Sequence, residues 1–162
     1  MHITDFQEIY LKELQEARSV EAQLVEALPR MKAAASAADL KDALEAHLGE
    51  TRAQLDRIHD ILDRHKVDAR EHEDQAMHAI LSEAEKWIGM LDNPALRDAG
   101  LIASAQRIEH YEVAVYGTLA TWAKQLGHDE DLSALLETLE QEKSADSKLS
   151  ELAKREVNPE AA

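Results

Sequence analysis

An all-α, antiparallel four-helix bundle with one long crossover is the fold this sequence predicts. The chain of 162 residues holds only 5 Gly, 3 Pro and 1 Phe, set among abundant Ala, Leu, Glu and Gln, a composition of long helices and few turns. Apolar residues recur every three or four positions in four long segments. Two of the joints between those segments are short and the third is long. A chain of this length makes one domain with a real core, expected over 1–157, with 158–162 as a short disordered tail.

The first helix is expected to begin after Thr4, where Thr4 and Gln7 stand at capping-box spacing, and to run to about residue 35. Pro29 lies inside it and should bend it or remove one hydrogen bond. Ser36 is the candidate N-cap of the second helix, 37–65. Residues 66–74 read as a polar loop, and a shorter helix follows over 75–90 until the turn at Asp92, Asn93 and Pro94. The third long helix starts near Ala95 or Asp98 and ends at Leu126, with Gly127 as its left-handed terminator. The fourth starts near Asp131 and fades towards Val157, before Pro159. A long second-to-third connection that carries its own helix can travel the length of a bundle, which is how ferritin-like bundles are wired.

Composition also excludes classes of function. With no cysteine there is no disulfide, thiolate metal site or Cys nucleophile, and the chain suits a reducing compartment. The start, Met1 to Asp5, lacks the basic and apolar regions of a signal peptide, and no stretch reaches the ~20 apolar residues of a membrane span; the expectation is a cytoplasmic protein. A formal net charge of -15 repels nucleic acid and anionic membranes while enriching cations nearby. Neither a Gly-rich phosphate loop nor a nucleophile–base pair is evident.

Placement of the acids is more informative than their number. Tyr10, Leu14, Ala17, Val25 and Leu28 fall within about 40° of Glu21 on a helical wheel, so Glu21 occupies the middle of an apolar stripe. Glu109 sits likewise between Ile102, Ala105, Val113, Tyr116 and Ala120, with Glu112 one turn on. In the fourth helix Glu142 lies in the stripe of Leu135, Thr138 and Leu149, followed by Asp146. The second helix carries His47 and Gln54 on its apolar face, with Glu50 towards the margin. Hairpin pairing brings Glu21 level with Glu50 and Glu112 level with Glu142. Several like charges converging in a core are tolerable when a divalent cation joins them, and hard oxygen donors suit iron or manganese. The competing explanation is that Arg18 neutralises these acids as a buried ion pair, with no metal present. The protein would then be a metal-free helical one working through dimer or partner contacts, with Trp87, Trp122 and the helix 75–90 supplying apolar surface.

Particular strings carry a family likeness. They are Val20-Glu21-Ala22-Gln23-Leu24, Ala27-Leu28-Pro29-Arg30-Met31, His47-Leu48-Gly49-Glu50-Thr51, Gln106-Arg107-Ile108-Glu109-His110-Tyr111-Glu112, and Glu140-Gln141-Glu142-Lys143 with Asp146. Here the chain resembles the YciE/YciF group of ferritin-like, rubrerythrin-like proteins over about residues 4–155. The resemblance implies a homodimer, a role in bacterial stress response and a di-iron or ferroxidase activity, with two iron ions as cofactor and manganese or zinc as alternatives. It matches Glu21, Glu50, Glu109 and Glu142 to the four helix carboxylates of a metal site, which Glu112, Asp146, Gln54 and His47 are expected to complete. One departure stands out. Ferritin-like sites expect Glu-x-x-His in the second and fourth helices, but Ala53 and Ala145 occupy those third positions, and Gln54 and Asp146 follow one residue later.

Overall fold

The computed structural model describes residues 3–68 and 72–162, so residues 1–2 and the part of the expected 66–74 loop at 69–71 lie outside the described residues. Its elements are α1 (Phe6–Ala34), α2 (Ala38–Arg64), α3 (Gln75–Met90), α4 (Pro94–Leu126), α5 (Asp129–Leu152), a π-helical turn (Ala153–Val157) and α6 (Asn158–Ala161). The expected tail at 158–162 is thus mostly a last helical turn, continuing the backbone of α5. No helix among the described residues is long and apolar enough to cross a membrane.

Helix ends follow local chemistry, shifted by a residue or more from the sequence expectation. Asp5, rather than Thr4, caps α1: its Oδ1 accepts from Glu8 N at 2.8 Å, while Glu8 Oε2 accepts from Thr4 N at 2.9 Å. The carboxylate binds the free amide as well as a hydroxyl would, and it moves the box along by one. α1 continues through Pro29 without interruption. The N-cap of α2 is Ala37 instead of Ser36, because Asp98 on α4 reaches across and accepts from both Ser36 N and Ala37 N at 2.7 Å. Asn93 caps α4, with Pro94 in the first turn, and Gly127 closes it at φ +75°. α5 starts at Asp129, two residues before the expected Asp131, and its first turn holds Asp129, Glu130 and Asp131, where the helix dipole favours negative charge.

Two apolar clusters show how the helices run. One gathers Leu28 and Met31 from the end of α1, Leu40 from the start of α2, Leu101 from the start of α4 and Leu152 from the end of α5. The other gathers Tyr10 from the start of α1, Ile61 from the end of α2, Ala123 from the end of α4 and Leu135 from the start of α5. α1 is therefore antiparallel to both α2 and α4, which flank it, and α5 packs against α4 and α2. The α2–α4 crossover carries α3, whose Met77 and Leu81 join the first cluster and whose Ala84 is also buried. Asp74 pins that crossover: it caps Met77 N at 2.5 Å, accepts from Tyr111 OH at 2.6 Å, and donates its own N–H to Ser19 Oγ at 2.9 Å. The arrangement is the four-helix bundle with one long crossover, and between its two apolar ends lies a polar layer.

Candidate metal centre

That layer consists of Glu21, Thr51, Gln54, Glu112 and Glu142, all with no exposed surface, together with Glu109, Thr138 and His47, which are nearly as buried. α1 supplies Glu21, α2 supplies His47 and Gln54, α4 supplies Glu109 and Glu112, and α5 supplies Glu142. Helical periodicity explains each position: these residues occupy stripe sites that would otherwise hold Leu or Ala.

One ligand atom from each of His47, Glu109, Glu112 and Glu142 lies within 4.8 Å of the others. His47 Nε2 is 3.2 Å from Glu109 Oε1 and 4.0 Å from Glu112 Oε2. Tyr116 donates its hydroxyl hydrogen to Glu21 Oε1, and Gln54 Nε2 donates to Glu142 Oε1. Glu50 and Asp146 stand at the rim. The Glu50 side chain is 31% exposed with Oε2 3.7 Å from His47 Nδ1, and Asp146 accepts from Gln106 Nε2 at 3.1 Å and faces the exposed His110 at 3.3 Å. Of the eight residues expected from the sequence, six converge in the interior and two border it.

Much of this layer's hydrogen-bonding capacity is unused. Glu21 Oε2, Glu109 Oε2, both Glu112 oxygens, Glu142 Oε2, Gln54 Oε1 and both ring nitrogens of His47 are buried with no hydrogen-bond partner. Burial followed by the Glu142 carboxylate pushes Glu109 up to about 11. Burial raises Glu21 to about 8, against the pull of the Tyr116 hydrogen bond, and raises Glu112 well above the usual carboxylate range, helped by Glu142 and Glu21. Tyr116 is also pushed up, by burial and then by the charge of Glu21. At the rim the sign reverses: the neighbouring His47 holds Glu50 below its ordinary value.

Arg18 does not neutralise the layer. Its Nε points to His59 Nε2 at 3.4 Å. Arg57 exerts only the smallest of the influences on Glu21, and its guanidinium is engaged on the outer face by Gln141 Oε1 at 2.7 Å and by Glu137. Among the described residues no Lys or Arg makes an ion pair with Glu21, Glu109, Glu112 or Glu142. A cation fits this donor set. Three carboxylates and one imidazole lie within reach of one ion, the fourth carboxylate, Glu21, lies beside Glu112 and Glu142, and four negative charges would match two divalent ions.

A second polar cluster lies at the α4–α5 end. Asp131 Oδ2 accepts from His65 Nε2 at 2.7 Å and from Tyr10 OH at 2.9 Å, and Oδ1 accepts from Arg64 at 2.7 Å. His128 stacks edge-on to His65 with ring centroids 4.8 Å apart. His65 is mostly covered here, because the α2 terminus folds against the start of α5. With Arg64 bound to its carboxylate, this cluster is balanced internally. In the central layer, among the described residues, no Lys or Arg plays that part.

Comparison with known proteins agrees with the architecture. The chain is 39% identical to Protein YciF of Escherichia coli (strain K12), over 99% of this chain and 98% of that one. The crystal structure of the E. coli stress protein YciF superposes with a TM-score of 0.91, covering 96% of this chain and 99% of that one. A Rhodopseudomonas palustris protein called YcfI, 34% identical, gives 0.88 and covers 91% and 94% of the two chains. A protein of Xanthomonas campestris pv. campestris, at 20% identity and a TM-score of 0.75 over 93% and 92% of the two chains, shares the fold. The family described as a domain of unknown function, DUF892, matches residues 5–162. With its length spanned by that family and by a full-length relative, the chain belongs to DUF892 and to its YciF group.

Proposed function

We propose that this protein is a metal-binding member of the YciF-type stress proteins, taking two divalent ions, foremost iron, into the layer between α1, α2, α4 and α5. The observation that carries the reading is the set of buried, unpartnered donor atoms on Glu21, Glu109, Glu112, Glu142 and His47. Unsatisfied buried polar atoms are costly, each by about 1–3 kcal/mol; protons shared between Glu21 and Glu112 and between Glu109 and Glu142 relieve part of that, and a bound cation would take their place.

Glu21, Glu109, Glu112, Glu142 and His47 would hold the ions. Gln54 and Tyr116 fix the rotamers of Glu142 and Glu21 through their hydrogen bonds, so that one oxygen of each remains available. The two apolar clusters exclude water above and below. Iron bound here would supply the electrons to reduce oxygen or peroxide, which is a ferroxidase activity. Ionising Glu109, Glu21 and Glu112, which burial pushes towards the protonated form, is the chain's own part in loading. A single imidazole among the donors makes the set oxygen-rich and suits manganese as well, and zinc less well.

Anaerobic Fe2+ titration followed by oxygen tests this. Wild-type protein is expected to bind two equivalents and to oxidise them faster than free Fe2+. A Glu21→Ala, Glu109→Ala double variant that oxidises iron like wild type would refute it, and so would protein purified without chelator that carries no metal and gains none from excess Fe2+ or Mn2+.

A further inference from the structure

On the face where α2 meets α5, small side chains leave a gap. Ala43 and Ala46 on α2 and Ala145 on α5, with Leu44 and Leu149, border a cavity of about 50 Å³ that His47 and Glu109 also line. At roughly 30 Å³ per water molecule, the space admits one or two waters, or an ion that has shed most of its hydration shell. Two charged groups also line it, the half-exposed Glu50 and the exposed Lys148. His47 lies between outside and inside: Nδ1 is 3.7 Å from Glu50 Oε2, Nε2 is 3.2 Å from Glu109 Oε1, and neither nitrogen has a hydrogen-bond partner. A side chain buried to that degree with both nitrogens free, one towards a rim carboxylate and one towards an interior carboxylate, is placed to exchange a ligand between them.

We propose that this groove between α2 and α5 is the inlet of the metal centre, with Glu50 capturing a divalent cation at the mouth, His47 passing it inward to Glu109, and Lys148 acting as an electrostatic brake. This rests on the proposed metal-binding reading and adds the route and the control of rate. The cation exchanges waters first for a Glu50 oxygen, then for the imidazole, then for the interior carboxylates, so it is never wholly without ligands. Lys148 carries positive charge beside the mouth and lowers the local cation concentration. Glu50 therefore affects loading from a position outside the tight interior group.

The experiment separates route from site by measuring rates beside equilibrium. Co2+ is the probe, because its visible absorption reports coordination directly. Stopped-flow mixing gives the association rate, an EDTA chase gives dissociation, and titration gives the equilibrium constant. Ala46 is exposed on α2, so Ala46→Leu is expected to keep the fold while covering the gap. It should slow association and dissociation together, each by about tenfold, and leave the equilibrium constant within about twofold. Lys148→Gln should speed association by about two- to fivefold at low salt, the gain shrinking as salt is added. Glu50→Gln should slow association with a normal far-UV spectrum. If Ala46→Leu and Ala43→Leu both bind Co2+ at wild-type rates, the inlet is elsewhere and the proposal falls while the site stands. A wild-type protein that binds no Co2+ overturns both. Rates unchanged by Lys148→Gln at every salt concentration overturn the brake.

Discussion

Loading the proposed metal centre should release protons. In the metal-free protein burial holds Glu109 at about 11 and Glu21 at about 8, and Glu112 lies well above the ordinary 4.5. Burial thus pushes all three carboxyls towards the protonated form, and each that carries a proton must lose it to ligate a cation. Protons should therefore leave as the centre loads, and metal affinity should rise with pH through neutrality. Calorimetric titration with Mn2+, which avoids oxidation, in two buffers of different ionisation enthalpy gives the proton count from the difference in heats. Repeating it at pH 6 and pH 8 should give clearly weaker and tighter binding, respectively. A count below about one proton, with affinity independent of pH, would refute the argument that these buried acids are the ligands.

Three further outcomes follow from the same geometry. The raised acids add stability that is complete below their ordinary value of 4.5 and lost as pH rises through about 8 and then about 11, so the melting temperature of chelator-treated protein should fall from about pH 6 to about pH 9 and recover with Mn2+. Glu112→Gln removes one acid at constant shape, so it should raise the metal-free melting temperature at pH 8 by several degrees while abolishing tight binding of the second ion, read by thermal melts and elemental analysis. Asp131, held below its usual value of 3.8 with His65, Arg64 and Tyr10 as donors, has the opposite sign: its contribution is present above that value and lost as pH falls. Asp131→Asn should therefore cost about 2–3 kcal/mol in urea unfolding near neutral pH and leave Mn2+ binding unchanged.

Much of the centre could be read from the residues in order, because helical periodicity is local. Glu21, Glu109 and Glu142 interrupt apolar stripes at positions where 3.6-residue spacing demands a hydrophobe, and His47 and Gln54 share the face opposite them. The same periodicity placed Glu50 only at the margin of its stripe, and at the margin it lies. Caps were less legible. Thr4 and Ser36 are sound cap residues in isolation, yet Asp5 and the distant Asp98 supply the carboxylates that bind those free amides. Nothing near Ser36 in the chain announces Asp98, since the contact spans 62 residues.

The pairing of His65 with Asp131 was hidden for the same reason, as each sits at a helix end amid polar neighbours and reads as solvated. Tyr116 could be placed on the core face, but that its hydroxyl donates to Glu21 depends on how α1 and α4 are set against each other. From the order of residues alone came four helices, their wiring and a layer of acids facing inward, all consequences of propensity and period along one chain. Tertiary packing alone decided whether a base neutralises that layer. Arg18 is one helical step from the acidic face, and only the position of α2, which offers it His59, turns it away and leaves the carboxylates to each other.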